Sequence, residues 1–586
     1  MPILPMRDLG KVGVIADPSA YELPPNAFNR ANNVVFNNGH CERAPIFKEV
    51  FPAQVAITVG TIISQTETSG VDTFYVADRD YNVYKWVYPN FTDLTTANQQ
   101  YLSTTTTSTT DVTPMTSTAL ADVIYINKGD RRPIYKLPSE NFFRELYPTA
   151  GAPNSPTSTW GSSSDVWKCQ SLRSYGDFLI ALNMNEGAAG DFASRVRWCD
   201  PVTSGSAAVS WDASDATTLA GFNDLIQING GIVDGLSLGN QFIIYSEDQV
   251  WLMDFVGGQF VFNFRRLFTD AGLCNHNCVV EVEGSHYCFG KDDIYVHNGT
   301  QKQSICNSIV RDFIFNNLDS AKFNYNFVHH DLRFKKIMFC YFSSDEDVNY
   351  DKANYVNKAA VYSYSENTWS FMDLPNLTAS GVGNLSAVIN YDATQTDASG
   401  SSVDPTYESI GGTYQDTAGS VKRHSLFGTK SIRIDASVAT YPVPANNTYH
   451  GLTTDSLICL DSLKDPAVVA QYKSQFNSPV ILERTGIDMD NAGMDLRTYK
   501  SITKLYPQID VFDDFGTTVN IAIGAHDLPH SDPEYPTTVA FNPLTDYKID
   551  VRAAGRYLAY KITLDSADKY FSLTGFDAEF MALAKR

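Results

Sequence analysis

Residues 239–260 read GNQFIIYSEDQVWLMDFVGGQF, and residues 284–300 read GSHYCFGKDDIYVHNGT. In each stretch a short apolar run meets an acidic turn, and a second apolar run follows and stops at Gly257-Gly258 or Asn298-Gly299. Apolar, β-branched and aromatic runs bounded by turn-forming residues indicate β-strands, and the short turn between them indicates a hairpin. An isolated hairpin is marginal in water, so the sequence predicts that such units are repeated and packed together.

The hairpin pattern recurs along much of the chain. The intervals are irregular, roughly 40–60 residues, which suits a β-propeller built from four-stranded blades around an axis. We therefore predict a mainly β fold with a β-propeller body. The other hairpin-like pairs lie at residues 73–88, 121–137, 177–200, 335–374 and 424–434.

The predicted organisation has three parts. Residues 1–50 are expected to form an extended arm ending in a hairpin, whose apolar residues need a surface from this chain or a neighbour. Residues 51–436 are assigned to the propeller. Residues 437–586, with longer and more regularly alternating strands, are expected to form a C-terminal antiparallel β-sandwich-like domain. The alternation of RYLAYKITL (residues 556–564) predicts a half-buried strand there.

Helices and loops play a small part in this prediction. The apolar spacing of residues 304–318 indicates a short helix, and Asp465-Pro466 indicates the start of another. Three stretches rich in Thr, Ser and Gly are expected to be loops. They lie at residues 104–110, 154–164 and 394–420.

The charge and cysteine content restrict the classes of function. The 586 residues carry a formal net charge of −22. An acidic surface repels phosphate, which argues against tight nucleic-acid binding and against adhesion to an anionic membrane, but suits a wall that DNA slides past. Nine cysteines without framework spacing indicate reduced thiols. Neither a signal peptide nor a membrane span is evident in the sequence, so we expect a soluble protein that is not exported by the usual route.

The segment Cys274-Asn275-His276-Asn277-Cys278 is the nearest approach to a metal motif. Its two thiols and imidazole could be three zinc ligands, but zinc sites use other spacings and need a fourth ligand. We favour a strand edge with two buried thiols. The segment from Asp488 to Asp495 has the oxygen density of a calcium loop, but Tyr499 stands where the bidentate glutamate belongs, so a solvated turn is favoured.

Catalytic arrangements are weak in this sequence. His329-His330-Asp331 are adjacent, and alternate residues of a strand face opposite sides, so they do not converge. Residues 365–369 (SENTW) resemble the Asp-box turn of sialidase propellers but lack its aspartate and glycine. Nucleotide-binding, metalloprotease and nucleophile-elbow motifs are missing. We therefore predict no enzyme activity, no catalytic residue, no metal and no cofactor. One acidic loop is a candidate rim or lining of a channel; its residues are Asp345, Glu346, Asp347 and Asp351.

Several segments together resemble the tail nozzle proteins of short-tailed bacteriophages, a family also called tail tubular protein B or packaged-DNA stabilisation protein. The likeness covers most of the chain piecewise. It departs from the family at the 394–420 loop, which has no match, and at Cys199, where we expect Ser. The segments that carry the likeness are MPILPM (1–6), LPPNAFNRANNVVFNNGHCERAP (23–45), RVRWCDP (195–201), the block at 241–305 and GRYLAYKITLDSADKYFSLTGFDAEF (555–580).

The resemblance implies a ring of six copies below the portal and adaptor of a virion tail. Such a nozzle would retain packaged double-stranded DNA, conduct it during ejection without sequence-specific binding, and contact tail fibres or other tail proteins. It implies assembly in the host cytoplasm and no membrane insertion. On this reading the bore is acidic and is a passage rather than a pocket.

Two alternatives stay open from the sequence. One is a carbohydrate-active propeller, a depolymerase or a sialidase-like hydrolase, which would use two carboxylates on a concave face. The other is a non-catalytic propeller that binds a host receptor.

Overall fold

The chain folds almost entirely into β-strands in the computed structural model. Among the described residues, the elements other than strands are short: one α-helix, α1 (Arg311–Asn317), and 3₁₀ turns at Ala20–Glu22, Gly187–Ala189 and Ser320–Tyr325. The structure describes residues 3–49, 58–66, 72–87, 90–93, 113, 115–146, 158–162, 165–258, 260–344, 355–385, 422–430, 456–461, 478–489, 498–511, 517–528, 531–565 and 569–585.

The N-terminal segment contributes seven short strands. They are β1 (Ile3–Met6), β2 (Gly13–Val14), β3 (Ala27–Phe28), β4 (Arg30–Asn32), β5 (Val34–Asn37), β6 (His40–Arg43) and β7 (Ile46–Glu49).

Blades 1 to 5 are separate four-stranded antiparallel sheets, each with its strands in chain order. Blade 1 contains β8 (Val59–Thr66), β9 (Asp72–Asp78), β10 (Val83–Val87) and β11 (Asn90–Asp93), and blade 2 contains β12 (Met115–Leu120), β13 (Val123–Lys128), β14 (Ile134–Lys136) and β15 (Arg144–Glu145). Blade 3 contains β16 (Trp167–Tyr175), β17 (Phe178–Glu186), β18 (Asp191–Trp198) and β19 (Gly221–Asp224). Blade 4 contains β20 (Ile232–Leu238), β21 (Gln241–Ser246), β22 (Val250–Phe255) and β23 (Phe262–Phe268), and blade 5 contains β24 (Val279–Val282), β25 (Ser285–Phe289), β26 (Ile294–His297) and β27 (Lys302–Ser304).

The two hairpins on which the prediction rests are confirmed. They are the β21–β22 pair of blade 4 and the β25–β26 pair of blade 5. The propeller fold class is therefore confirmed as well. The strand pairing of the described residues gives seven blades, a number that the sequence pattern left open.

Two further four-stranded units close the ring. Blade 6 contains β28 (Phe327–Asp331), β29 (Lys336–Tyr341), β30 (Val356–Ser363) and the first half of β31 (Thr368–Leu385). The second half of β31 is the inner strand of blade 7, followed by β32 (Lys422–Thr429) and β33 (Ser456–Asp461). The outer strand of blade 7 is β7, from the N-terminal segment. The ring of blades is thus closed by β7, which lies about 400 residues before its partner strand β33 in the sequence.

The remaining strands form two sheets of a C-terminal β-sandwich. One sheet has the order β4-β34-β39-β36-β37, and the other has the order β38-β35-β40-β6-β5 with β1 beside β40. Their apolar faces share one core, in which the Tyr560 and Phe576 rings lie 4.9 Å apart. The strands are β34 (Val480–Ile487), β35 (Thr498–Asp510), β36 (Val519–His526), β37 (Glu534–Phe541), β38 (Ile549–Gly555), β39 (Tyr557–Leu564) and β40 (Ser572–Lys585).

Buried cations fasten the N-terminal segment to the rest of the chain. Lys336 Nζ donates to the Phe36 carbonyl at 3.1 Å and to Asn37 Oδ1 at 2.9 Å. Arg43 Nη2 donates to the Ser478 carbonyl at 2.8 Å, and Arg484 donates to carbonyls of the 3₁₀ turn region at residues 20–23. The predicted hairpin forms as β5–β6, and the surface that its segment needs is supplied by this chain.

Some boundaries differ from the prediction. Strands of residues 1–50 pair within blade 7 and within both sandwich sheets. The strand β33 belongs to blade 7 although it lies beyond residue 436. The pairing of strands therefore crosses both of the predicted limits, at residues 50 and 436. The helix expected over residues 304–318 is confined to α1; Ser304 belongs to β27, and bends and turns occupy residues 305–310. The half-buried strand is wrong for the start of β39, where Tyr557 and Ala559 are buried too. The helix after Asp465 and the loops at 104–110 and 394–420 fall outside the described residues.

The structure places every cysteine in the interior, and the reduced state of the thiols stays a prediction. In the described part of the chain, no helix combines the length and the hydropathy that crossing a bilayer requires.

Candidate functional site

A cavity of about 430 Å³ lies on the propeller axis. The inner strands of the blades surround it and are joined directly by hydrogen bonds, such as Thr61 Oγ1 to Ser117 Oγ at 2.9 Å and Thr118 Oγ1 to Ser174 Oγ at 2.9 Å. Each blade contributes to the lining. From blade 1 to blade 7 representative residues are Thr61, Ser117, Arg173, Leu236, Val280, His330 and Gly381.

This cavity does not match an acidic DNA passage. Its volume is that of a small-molecule pocket. Its charged lining includes Arg79 and Arg173, and among the described lining residues Glu281 is the one carboxylate. The expectation of an acidic bore is therefore wrong for the axis of the single propeller. Any passage for duplex DNA must lie elsewhere.

The predicted acidic rim, Asp345, Glu346, Asp347 and Asp351, lies outside the described residues. It therefore remains a sequence-based prediction.

A buried ionic network joins the blades beside the cavity. Asp234, on the inner strand of blade 4, is fully buried and accepts from Arg173 of blade 3 at 2.9 and 2.6 Å. Ser171 Oγ also donates to this carboxylate, at 2.5 Å. Asn277, at the entry to blade 5, donates its backbone N–H to the same carboxylate at 2.9 Å and accepts from Arg173 at 2.8 Å. The amide of Asn277 then donates to the Met115 carbonyl of blade 2 at 2.9 Å.

The protonation of Asp234 follows from these partners. Burial alone would raise the pKa of Asp234, but the charge and the hydrogen bonds of Arg173 and the Ser171 hydroxyl lower that pKa to about 2. The carboxylate is therefore ionised at neutral pH. Because a buried charge needs partners, the network fixes the relative positions of blades 2 to 5.

The segment Cys274–Cys278 is a loop before β24 rather than the strand edge that we expected. The thiols are buried, as predicted, and their sulfurs lie 3.4 Å apart. Burial lowers the pKa of His276 to about 4, so this imidazole is neutral at pH 7. The described residues contain no group of three His, Cys, Asp or Glu side chains arranged to hold a metal.

The other predicted candidates stay apart. His329 packs on Phe427 with ring centroids 4.7 Å apart, whereas His330 reaches Tyr364 Oη at 3.4 Å. The two imidazoles therefore serve different contacts, as the alternation of a strand predicts. Residues 364–367 form the turn between β30 and β31. Of the possible calcium loop, only Asp488 and Met489 belong to the described residues.

A second buried polar chain joins blades 4 and 5. Tyr245 Oη lies 2.6 Å from His286 Nδ1 and 2.7 Å from His297 Nε2. The Gly299 N–H donates to His297 Nδ1 at 3.2 Å, and His286 Nε2 lies 2.9 Å from the Ser237 carbonyl. The partners at the two ends set the direction of these hydrogen bonds. His297 Nε2 donates to Tyr245 Oη, Tyr245 Oη donates to His286 Nδ1, and His286 Nε2 donates to the Ser237 carbonyl.

Both imidazoles in this chain are neutral at pH 7. Burial lowers the pKa of His286 to about 4, and burial together with the nearby His286 lowers the pKa of His297 to about 3. The hydrogen bonds of Tyr245, His286 and His297 therefore link blades 4 and 5 through neutral groups.

Neither network was found from the sequence. The available signal for the first is Asp234, a lone carboxylate within the apolar strand Ile232–Leu238. A charged residue in such a run predicts that a partner of opposite charge is buried beside it. The sequence does not show which residue that is, because Arg173 lies 61 residues away and is brought to Asp234 by the arrangement of the blades.

Comparisons with known proteins give distant similarities in fold. No protein-family model matches the chain, and no curated protein matches it. A crystal structure of BBS1N in complex with ARL6DN has 9% identity and a TM-score of 0.32, covering 57% of this chain and 89% of that chain. Raptor of Chaetomium thermophilum has 7% identity and a TM-score of 0.33, covering 58% of this chain and 28% of that chain.

Proposed function

We propose that this protein is a structural subunit of a phage tail: a ring-forming nozzle that retains packaged DNA and conducts it during ejection. The observation that carries the proposal is that the N-terminal segment links the propeller to the C-terminal sandwich by strand pairing. Residues from one N-terminal segment supply the outer strand of blade 7 and strands of both sandwich sheets. Well-packed β structure of this kind has low compressibility, which suits a part that withstands internal pressure.

The DNA passage of this proposal runs between copies, not through a propeller. The axial cavity of one chain is too small and carries arginines, whereas the whole chain has a net charge of −22. A ring of acidic chains presents a wall with few binding points for a polyanion. The partners would be further copies, six by the family resemblance, together with the adaptor and other tail proteins.

Assembly with the adaptor tests the proposal. Purified chain is mixed with the adaptor protein and imaged by electron microscopy. We expect sixfold rings with a central hole between subunits, seated on the adaptor. A chain that remains monomeric and never joins the adaptor would contradict the proposal.

The axial cavity favours one alternative, a propeller that binds a small host-surface ligand. Its volume suits such a ligand, but its described lining offers Glu281 without the second carboxylate that glycoside hydrolysis uses. Binding without turnover is the form of the alternative that this lining supports. A binding assay with host cells and a turnover assay with host polysaccharide separate it from the nozzle.

A further inference from the structure

An apolar hairpin tip projects from blade 4, and we name Phe255, Val256 and Phe260 the blade-4 tip. These side chains are 52%, 56% and 74% exposed. Gly257 and Gly258 lie between them with φ angles of +68° and +80°, a left-handed conformation that makes the tight turn. Burial of large apolar side chains is favourable, and contiguous exposed apolar side chains are typical of interaction sites.

The base of the tip is held in place before any partner binds. The Phe255 ring lies 5.7 Å from Phe178 and 5.8 Å from Phe262. The Phe255 N–H lies 3.4 Å from Tyr175 Oη, which donates to the Asn240 carbonyl at 2.7 Å. A surface already ordered in this way loses little conformational entropy on binding.

The charge around the tip differs from that of the whole chain. Residues 254–270 read DFVGGQFVFNFRRLFTD, in which two arginines balance Asp254 and Asp270, whereas the whole chain has a net charge of −22. Arg265 and Arg266 are both exposed on β23, the outer strand of blade 4. Successive side chains of a strand face opposite sides, so Arg266 lies on the Phe255 side of the blade edge and Arg265 on the other side. This combination fits a partner surface that is acidic and contains an apolar depression.

We propose that the blade-4 tip, with Arg265 and Arg266, docks on the acidic surface of a second copy of this chain. Two tips cannot pair with each other, because that would bring four arginines together. The contact is therefore head-to-tail, the type that closes into rings when the rotation allows. This inference rests on the proposed ring-forming function and names the surface that makes the ring.

A lipid surface is the less favoured occupant. Two arginines attract an anionic membrane only weakly, because such binding usually takes a larger basic cluster. The remaining charge of the chain is strongly repelled by such a surface.

Paired substitutions test the contact in the full-length chain. One variant carries Val256→Ser and Phe260→Ser, which leaves the packed Phe255 ring in place, and another carries Arg265→Glu and Arg266→Glu. Matched controls, on exposed positions of the sandwich, are Leu544→Ser with Tyr547→Ser and the single change Arg552→Glu. Sedimentation velocity and electron microscopy measure ring formation, with and without adaptor, and thermal unfolding checks the fold.

We expect both tip variants to need at least ~10-fold more protein to form rings, with an unchanged unfolding midpoint, while the controls assemble like wild type. Rings that form normally in the tip variants would overturn this inference and leave the nozzle proposal standing. Tip-dependent flotation of the chain with phosphatidylglycerol vesicles, without ring loss, would also overturn it. A wild-type chain that forms no ring on its adaptor would overturn both proposals.

Discussion

Arg173 of blade 3 and Asp234 of blade 4 form an ion pair beside the propeller axis, with Nη2 of the guanidinium 2.6 Å from Oδ2 of the carboxylate. Asp234 is fully buried and Arg173 nearly so. Because Asn277 binds both partners, the pair also positions the entry to blade 5. The pair therefore links neighbouring blades of the ring, and we expect its removal to lower the stability of the propeller.

Asp234→Asn should destabilise the propeller strongly. The substitution leaves Arg173 buried without its counter-charge, and breaking a buried pair in this way costs about 3–5 kcal/mol. Denaturant unfolding measures the loss. Glu247→Gln is the control, because Glu247 pairs with Lys291 on the surface, where such pairs contribute below about 1 kcal/mol. Equal losses in the two variants would contradict the assignment of Asp234 as a joint.

Acid should weaken the joint between blades 4 and 5. The folded-state pKa values of His286 and His297 are about 4 and about 3, below the unfolded value of about 6.5. The unfolded state therefore binds more protons between these values, so stability is fully present above pH ~6.5 and falls as pH decreases toward 4. Each histidine contributes a slope of about 1.4 kcal/mol per pH unit in that window.

Double replacement of these histidines tests the sign. His286→Gln with His297→Gln should lower stability at pH 7, because it disrupts a paired chain, and should also flatten the dependence of unfolding free energy on pH between 6.5 and 4. Unfolding curves across pH 4–8 give both values. An unchanged pH slope in the double variant would show that the acid sensitivity lies at other groups.

Removal of residues 1–49 should abolish cooperative folding. The deletion takes away β7 from blade 7 and also β1, β4, β5 and β6 from the sandwich. It leaves the edge of β33 unpaired and opens the sandwich core to water. Thermal unfolding followed by near-ultraviolet circular dichroism measures the effect, and a peptide of residues 1–49 supplied in trans should restore part of it. A truncated chain that melts like the full chain would contradict the closure described above.

The thiols should behave as nine separate buried groups. Thiol titration should give nine reactive groups after unfolding and slow reaction before it, because every cysteine is buried. Metal analysis of protein purified without chelator should find no stoichiometric zinc, since the sequence favours buried thiols over a metal site at Cys274 and Cys278. A zinc content of one per chain would contradict that prediction.

The sequence predicts the hairpins well because their information is local. In β21 and β22 the apolar runs and the turn between them lie within fifteen residues, from Gln241 to Phe255. The β34, β35, β36, β39 and β40 segments are also recognisable from alternation. The more polar β37 (EYPTTVAF) was missed because its exposed edge position carries no apolar run.

Closure of the ring could not be predicted, because it depends on pairing over long sequence separations. Ile46 pairs with Asp461, and Asn32 lies between Phe371 and Ile481. No local pattern specifies which distant edge a short strand will join. The same reason hides the partnership of Arg173 and Asp234, although the lone carboxylate itself was visible in the sequence.

A cryo-electron microscopy map of the chain assembled on its adaptor tests most directly whether closed propellers form a ring with the DNA passage between subunits, as we propose. We expect a rotationally symmetric ring whose central hole is lined by several copies and is wide enough for duplex DNA, with each axial propeller cavity lying off that hole. A map showing an isolated monomer, or DNA threaded along the axis of one propeller, would contradict the claim.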